Sequence, residues 1–581
     1  MEPSPTLAPR TVDALLAAMT LEEKVGSLLV ARVVTGADGS LWEGADEESP
    51  FGFVPTTELI RERHVTHLTL MNPAPVEELA AWSARIRRTA AAARLGVPVS
   101  LAADPLHGRT RNAQVAQSGG GFTTLPEPIG LAATRDPDLV RRTAKMIGTE
   151  LRAAGLHIAL HPMADLATEP RWARVAGTFG EDPALAAEMV AAYVAGLQEA
   201  GIAATAKHFP GGGPQARGED AHFERGAHTV YPGGRFEDHL APFTAALRSG
   251  VVRVMPGYAA PLGLDYDEVG FAFERRIVTG LLRERLGFDG VVVTDFNIVH
   301  GMRLPRLGLS FPVRAWGMLH ADPVERVARL LDAGVDQFGG EDDPAPLLTA
   351  VERGLVTVGR LDESVRRVLR EKDRLGLLRP APGVEDVEPE PVRERIATPA
   401  HRELARTVQR ASLVALQGAP VLLSHDVRVY AEGVDPGILA RFASPVDAPE
   451  DADLAILRLA APYEPREGML EQGFHDGSLE FSSEEVSRIA AIAATIPTVI
   501  DVFLERPAVL TPLAALPVSL IGSFGVDDDV LLEAVSGAAP VTGRLPFDLP
   551  RSMAAVEASR EDVPFDTADP LFRFGDGLVW S

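Results

Sequence analysis

The sequence predicts an α/β protein in which a (β/α)8 TIM-like barrel is followed by a second α/β domain. Eight short apolar runs alternate with helical patterns along the first part of the chain, as strands and helices do in such a barrel. Polar residues directly follow most of these runs. A stretch dense in proline and acidic residues, 379–395, then precedes another alternating region, which indicates a linker and a further domain.

The composition is that of a globular chain with more than one domain. The 581 residues are 46% hydrophobic and 24% charged, which excludes a disordered polypeptide. The net charge of −25, without a basic block, argues against nucleic acid and anionic membranes as partners. The chain has no cysteine, which excludes disulfides, thiol nucleophiles and cysteine-ligated zinc.

The first residues of the chain and the distribution of apolar residues predict where in the cell the protein is located. The first residues lack a charged start followed by an apolar core, so we expect no signal peptide. The sequence contains no run of eighteen apolar residues, so we expect no membrane-spanning helix. We therefore expect a cytoplasmic protein that does not act on a membrane.

The first region contains the predicted barrel strands. Thr20–Glu23 has the spacing of a capping box and predicts the start of a helix. The β-branched run Val291–Val293 does not alternate with polar residues, which is typical of a strand covered on both faces. The predicted strands are Leu28–Val30, Val65–Leu70, Val99–Ala102, His157–Leu160, Ile202–Ala206, Val251–Met255, Val291–Thr294 and Val335–Phe338.

The polar residues after these runs favour a barrel over a long doubly wound sheet, whose elements alternate in a similar way. In a barrel the carboxyl ends of all strands converge on one face. A carboxylate such as Asp295 at a strand end loses solvation unless ligands or partners meet it, although capping a following helix is an equal alternative. The residues in question are Asp104, His107, Asp165, Lys207, His208, Tyr258, Asp295 and Glu341.

The predicted domain bounds are 1–380 for the barrel, 381–398 for the linker and 399–581 for the second domain. We interpret the second region as an open α/β domain packed on the barrel. Its predicted elements are the helices Arg402–Ala411 and Val486–Ala493 and the strands Ser412–Leu416, Leu454–Leu459, Thr498–Phe503 and Val518–Ile521.

Several motifs resemble those of family 3 glycoside hydrolases, in the family's order and over nearly the whole chain. They are TLEEKV at Thr20–Val25, PRWAR at Pro170–Arg174, FGEDP at Phe179–Pro183, KHFPGGG at Lys207–Gly213, VVTD at Val292–Asp295 and FRFGDG at Phe572–Gly577. The resemblance implies a barrel followed by an α/β sandwich domain, with the active site between them. It also implies that a sugar is removed from the non-reducing end of a β-linked glycoside by the retaining route, without a metal or another cofactor.

The resemblance assigns roles to residues at the strand ends. Asp295 matches the family's nucleophile, which forms a covalent glycosyl-enzyme in the retaining route. Asp104 matches the acid that holds sugar hydroxyls at the deepest subsite, a task that suits a carboxylate. Lys207 and His208 match the pair that reaches hydroxyls of the same ring.

Further positions match less closely. The resemblance implies that Arg174, the last residue of the PRWAR motif, either binds the sugar or orients Asp104. Tyr258 resembles the tyrosine beside the nucleophile. Phe296 stands where the family often has tryptophan, which leaves stacking at the entrance open. Glu181–Pro183 predicts a helix start rather than a substrate contact, because proline fits the first turn of a helix.

The second catalytic group is the weakest point of the resemblance. Retaining enzymes need a second carboxyl about 5–5.5 Å from the nucleophile, and many two-domain members place a glutamate just before a Pro-Tyr pair. Ala460 occupies that position here. We favour Glu464 as the acid/base, with His222 as an alternative because single-domain relatives use an Asp-x-His pair, matched here by Asp220 and His222. The remaining candidates are Glu467, Glu471, Glu480 and Glu484.

The resemblance therefore implies a β-glucosidase acting on a small carbohydrate or glycoside. A β-xylosidase or a β-N-acetylhexosaminidase would use the same chemistry, and an acid/base at His222 would favour the latter. Ala460 keeps open a third class, a sugar-binding relative without catalysis. Hydrolysis of nitrophenyl β-glycosides distinguishes the three.

Overall fold

A computed structural model of the chain describes residues 11–44, 52–72, 74–109, 120–304, 308–379 and 392–580. The protein is mixed α/β, with a curled parallel sheet of eight strands in the first region and a separate sheet of six strands in the second. The predictions for the chain start before residue 11 and for linker residues 381–391 lie outside the described residues.

The strands of the first region include all eight predicted ones, each displaced by a few residues at most. They are β1 (Leu29–Val33), β2 (His67–Leu70), β3 (Ser100–Ala103), β4 (Ile158–Ala159), β5 (Ala203–Phe209), β6 (His228–Val230), β7 (Arg253–Pro256), β8 (Ala260–Leu262), β9 (Val291–Val292), β10 (Met302–Leu304), β11 (Leu309–Phe311) and β12 (Phe338–Gly339). The curled sheet has the order β12-β1-β2-β3-β4-β5-β7-β9. The amide of Gln337 donates to the carbonyl of Val292 at 3.0 Å, so the two edges of the sheet meet.

Helices pack around this sheet, and two of them begin where the sequence predicts. Thr20 Oγ1 accepts from the Glu23 amide at 3.3 Å while Glu23 Oε2 accepts from the Thr20 amide at 2.9 Å, which completes the capping box. Asp182 caps the helix that starts at Pro183, so FGEDP is a helix start as expected. The helices are α1 (Val12–Ala18), α2 (Leu21–Leu28), α3 (Thr56–Arg61), α4 (Val76–Ala91), α5 (Pro128–Ala133), α6 (Pro137–Ala153), α7 (Pro183–Glu199), α8 (Phe236–Arg248), a π-helix (Arg276–Arg285), α9 (Pro323–Ala333), α10 (Ala345–Glu352) and α11 (Val358–Arg374).

The second region carries the other sheet and six further helices. Its strands are β13 (Val414–Gln417), β14 (Arg428–Glu432), β15 (Ser444–Val446), β16 (Leu454–Ala460), β17 (Thr498–Phe503) and β18 (Val518–Ser523), and its helices are α12 (Pro399–Ser412), α13 (Pro436–Leu439), α14 (Ser483–Ala493), α15 (Thr511–Ala514), α16 (Asp528–Val535) and α17 (Met553–Ala558). The sheet order is β13-β18-β17-β16-β14-β15, with β13 antiparallel to β18 and the other pairs parallel. The sequence predicted four of these strands but not β14 and β15.

The two regions share a buried apolar interface. Met163 and Trp172 of the first region lie in one cluster with Leu457 and Phe524 of the second. Burial of such side chains stabilises the contact by about 1.5–3 kcal/mol each. Within the described part of the chain, no helix combines the length and apolar character needed to cross a bilayer.

A cluster of buried charged residues joins strands β2 and β7 of the first sheet to helix α11. Arg253 Nη1 on β7 donates to both carboxylate oxygens of Glu371, at 2.8 and 2.6 Å, and His67 Nε2 lies 3.3 Å from Glu371 Oε1. Burial alone would raise the pKa of Glu371, but Arg253 and His67 outweigh it and hold the pKa at about 2.

We predict that Glu371→Gln lowers the free energy of unfolding by about 3–5 kcal/mol, because Arg253 would lose the charge that compensates its burial. Urea denaturation followed by circular dichroism measures this. Glu352→Gln, an exposed change on α10, is the matched control and should shift the value by less than about 0.5 kcal/mol. Equal effects of the two substitutions would contradict the prediction.

Candidate active site

Asp295 lies just beyond β9, where the carboxyl ends of the parallel strands meet. Its Oδ1 accepts a hydrogen bond from the Phe296 amide at 2.8 Å. Its Oδ2 is buried and finds no hydrogen-bond partner among the described residues; His208 Nε2 lies 3.8 Å away. A buried carboxylate oxygen without a hydrogen-bond partner costs folding free energy. This cost is understandable if Oδ2 is kept available for a ligand.

The surroundings of Asp295 keep its carboxyl ionised. Burial raises its pKa, but electrostatic interactions with the basic side chains of His208, His222, Lys207 and Arg174 outweigh burial and hold the pKa below its ordinary value. The carboxylate is therefore anionic at neutral pH, as a nucleophile must be.

Asp165, which follows β4, fixes the ring of His208. It accepts from the His208 amide at 3.1 Å, from His208 Nδ1 at 2.8 Å and from the Gly212 amide. Arg174 Nη1 lies 3.1 Å from His208 Nε2. Nδ1 therefore faces the Asp165 carboxylate and Nε2 faces the Arg174 guanidinium, so the ring is held on both sides.

Asp104 and Lys207 form an ion pair at the ends of β3 and β5. Lys207 Nζ donates to Asp104 Oδ1 at 2.9 Å, and both side chains are largely buried. A paired carboxylate and ammonium offer acceptors and donors to neighbouring hydroxyl groups. The pair therefore suits a polyhydroxylated ligand.

Tyr258 supports the segment that carries Asp295. Its hydroxyl donates to the carbonyl of Phe296 at 2.7 Å, and Arg314 Nη1 lies 3.3 Å from the same hydroxyl. Burial raises the pKa of Tyr258, so the phenol remains a neutral donor.

All the substrate-binding residues predicted from the sequence line one cavity together with Asp295. Sequence reasoning missed Arg32, whose Nη1 donates to Asn297 Oδ1 at 3.0 Å; an arginine inside the buried strand β1 was the available signal. The cavity is lined by Arg32, Met71, Asp104, Leu160, Arg174, Lys207, His208, His222, Met255, Tyr258, Asp295, Phe296, Asn297, Met302 and Arg314.

His222 lies in the wall of this cavity and is held on several sides. Its Nδ1 is 2.6 Å from Asp220 Oδ1, and Asp220 Oδ2 accepts from Trp172 Nε1 at 2.8 Å. The ring packs at 5.1 Å against both Tyr258 and Phe474. Burial outweighs Asp220 and lowers the pKa of His222 to about 4.

Glu464 lies outside the cavity lining. Its side chain is exposed and stands over Gly477, and its amide donates to the carbonyl of Asp476 at 2.9 Å. Its assignment as acid/base remains a prediction. Of the other predicted candidates, Glu471 pairs with Arg225 at 3.0 Å, and the cavity lining contains none of Glu467, Glu471, Glu480 and Glu484.

A second cavity, here called the interdomain cleft, adjoins the first. Arg174 and Lys207 line both cavities, so the two spaces meet at these side chains. The second domain contributes Phe474, Phe503 and Glu505 to the cleft. The two cavities together thus extend from the strand ends to the domain interface.

Several polar residues at strand ends have structural roles instead. His107 pairs with the buried Glu150 at 3.1 Å, and Glu341 pairs with His300 at 2.7 Å. Arg171 forms an ion pair with Glu169 at 2.7 Å. Among the residues that the structure describes, no group of three or more histidines and carboxylates could hold a metal ion.

Comparisons with known proteins agree with this geometry. The model of the glycosyl hydrolase family 3 N terminal domain matches residues 20–371. Probable beta-glucosidase C of Aspergillus flavus is 41% identical over 98% of this chain and 90% of its own. Beta-glucosidase C of Emericella nidulans is 40% identical over 98% and 92%. The periplasmic beta-glucosidase/beta-xylosidase of Dickeya chrysanthemi is 36% identical over 98% and 90%.

Solved structures show the same fold. The beta-glucosidase of Listeria innocua in complex with isofagomine has a TM-score of 0.76 at 20% identity and covers 98% of this chain and 83% of its own. The exo-1,3/1,4-beta-glucanase of a Pseudoalteromonas species has a TM-score of 0.77 at 21% identity, over 98% and 73%.

The family match and the relatives called beta-glucosidases, over nearly the whole chain, define a glycosidase, and the cavity around Asp295 is its candidate active site. The chain belongs to glycosyl hydrolase family 3.

We predict that Asp165→Asn lowers kcat/KM on nitrophenyl β-glucoside by about 10²-fold, because an amide offers one acceptor oxygen in place of two and cannot make all the hydrogen bonds that fix the His208 ring beside Asp295. Steady-state kinetics measures this, and circular dichroism confirms folding. Asp138→Asn, an exposed change on α6, is the control and should retain wild-type kcat/KM. Wild-type kinetics of Asp165→Asn would contradict the positioning role.

Proposed function

We propose that the protein is an exo-acting, retaining β-glucosidase that hydrolyses terminal β-glucosyl residues. The observation that carries this proposal is the buried, ionised Asp295, whose Oδ2 has no hydrogen-bond partner among the described residues and faces a cavity of hydroxyl-binding groups. The curated relatives at 40–41% identity that are called beta-glucosidases support it. So do related structures described with glucose, gluconolactone and laminaribiose.

The chemistry proceeds through two displacements at the anomeric carbon. Oδ2 of Asp295 attacks this carbon from the face opposite the leaving group, and an ester bond forms as the glycosidic bond breaks and the leaving oxygen takes a proton from a general acid. Water then attacks the same carbon and gives a proton back to that group, and the ester bond breaks to restore the Asp295 carboxylate. Two inversions give a product with retained β configuration.

The remaining cavity residues bind the sugar ring. Asp104 accepts hydrogen bonds from two neighbouring hydroxyl groups, and Lys207 donates to one of them. Arg174 donates to a ring hydroxyl beside His208. Because Asp165 and Lys207 already fix these groups, little conformational entropy is lost on binding.

We further infer that the curled sheet is a complete (β/α)8 barrel and that residues 399–581 form an α/β sandwich domain. The backbone hydrogen bond from Gln337 to Val292 supports closure, because a barrel requires its edge strands to pair. The apolar cluster shared by both regions supports a fixed interface.

A β-xylosidase is the second candidate, because the Dickeya chrysanthemi relative at 36% identity is called a beta-glucosidase/beta-xylosidase. A xyloside lacks the hydroxymethyl group of glucose. The ratio of kcat/KM for nitrophenyl β-glucoside and β-xyloside therefore decides between the two, and β-glucosidase activity predicts a ratio above one.

We predict that Asp295→Asn lowers kcat on nitrophenyl β-glucoside by about 10⁴-fold or more while the protein stays folded, because an amide cannot form the glycosyl ester. Release of nitrophenol measures the loss. Asp138→Asn is again the matched control. Near wild-type turnover by Asp295→Asn would refute the assignment of the nucleophile.

We predict that β-glucose is the first product released, because two inversions at one carbon retain configuration. Proton NMR of the anomeric region, recorded before mutarotation, measures this. Early appearance of the α-anomer would indicate a single displacement and contradict a covalent intermediate on Asp295.

A further inference from the structure

Among the described residues, the cavity around Asp295 offers no carboxyl group suited to act as the second catalytic group. The retaining route needs a proton donor for the leaving group. The carboxylates among the residues that line this cavity are Asp104 and Asp295. Asp104 is held by Lys207 and Asp295 is ionised, so neither can protonate the leaving group.

The interdomain cleft supplies further carboxylates next to this cavity. Its described lining includes two glutamates, Glu127 and Glu505. Glu127 Oε1 accepts from the Arg109 amide at 2.8 Å, and its carboxyl lies against Gly108, so it holds a barrel loop. Glu505 Oε1 lies 2.7 Å from His475 Nδ1, and the described residues give its Oε2 no hydrogen-bond partner. Glu505 therefore retains one oxygen for a ligand.

The strands of the second domain place Glu505 at the edge that faces the barrel. Ala460 at the end of β16 lies opposite Phe503 at the end of β17. Glu505 follows Phe503 by two residues, so it extends from the same edge of the sheet as Ala460. The neighbouring Arg506 donates to the carbonyl of Arg171 in the first region at 2.9 Å, which fixes this edge against the barrel.

A chain of side-chain contacts links Glu505 to the wall of the Asp295 cavity. Phe474 packs on His222 at 5.1 Å, and the next residue, His475, holds Glu505. Tyr463 stacks on the His475 ring at 3.9 Å with an interplanar angle of 11°, which restricts that ring. Glu505 thus lies where a leaving group would extend from the sugar cavity.

We propose that Glu505 is the general acid/base of this enzyme and that His475 is its positioning residue; this inference rests on the retaining mechanism proposed above. In the first step the proton of Glu505 passes to the glycosidic oxygen as its bond to the anomeric carbon breaks and Asp295 bonds to that carbon. An alcohol leaves and Glu505 becomes a carboxylate. In the second step Glu505 takes a proton from water, whose oxygen replaces Asp295 at the anomeric carbon.

The structure favours Glu505 over the two candidates from sequence. Burial, and then Arg314 and Arg174, disfavour the protonated form of His222 and lower its pKa, and its Nδ1 is engaged by Asp220. A ring that resists protonation is a poor acid. Glu464 is exposed and lines neither the cavity nor the cleft.

The test compares two leaving groups in wild type, Glu505→Ala and Glu505→Gln. Dinitrophenol departs without protonation, whereas the glucose of cellobiose needs a proton. We expect kcat/KM to fall by about 10²–10⁴-fold on cellobiose and by less than about tenfold on dinitrophenyl β-glucoside. Added azide should accelerate turnover of the dinitrophenyl substrate by Glu505→Ala and yield β-glucosyl azide. His475→Ala should show a smaller loss with the same leaving-group dependence.

Controls separate this inference from the proposed function. Glu450→Gln, an exposed change in the second domain, should leave both rates unchanged, and circular dichroism confirms folding of each variant. Equal losses of kcat/KM on both substrates for Glu505→Ala, or azide rescue of His222→Ala or Glu464→Ala instead, would overturn the role of Glu505 alone. A wild type inactive on both substrates would overturn the proposed function and, with it, this inference.

Discussion

The active site depends on keeping the buried carboxylate of Asp295 ionised. Burial favours the protonated form, and the pKa stays below its ordinary value only because basic side chains surround the carboxylate. Those groups must themselves be held in place. Asp104 fixes Lys207 through an ion pair, and Asp165 fixes His208 by accepting hydrogen bonds from its backbone amide and its Nδ1. The density of charge at the strand ends is thus a consequence of one buried anion.

A second requirement of the structure is that the buried guanidinium of Arg506 finds hydrogen-bond acceptors. Burial lowers its pKa to about 10, so it remains a cation at neutral pH and needs acceptors. Its nitrogens donate to the carbonyls of Arg171 in the first region and of Pro462 and Gly477 in the second. Because Glu505 is its sequence neighbour, the contact that joins the domains also sets the position of this carboxyl.

The sequence predicted those features that depend on local pattern. Apolar β-branched runs located the eight strands of the first sheet, because strands covered on both faces carry little else. It did not predict β14, in which Val429 alone of the five residues is fully buried, or β15, a short edge strand that contains Pro445.

In the candidate site, too, local sequence pattern predicted some features, and others depend on tertiary contacts. Residues that directly follow a strand, such as Asp295 and Asp104, were identified because strand ends converge. The pairing of Asp165 with His208 depends on the path of the loop between them, which sequence spacing does not determine. Glu505 follows β17 as Asp295 follows β9, so a search for polar residues after strands would also have identified Glu505. The resemblance to the family instead directed attention to Ala460 and to the loop after it, which carries Glu464.

Under the proposed mechanism, the two regions of the chain control different parts of the substrate. The first region supplies the described residues that line the Asp295 cavity, and these polar side chains hold one another by hydrogen bonds. The second domain contributes aromatic side chains, including Phe474 and Phe503, to the cleft where the leaving group would lie. A change among networked polar groups disturbs several partners at once, while apolar packing tolerates substitution of similar volume. Leaving-group preference can therefore change through the second domain while the sugar and its nucleophile remain fixed by the first.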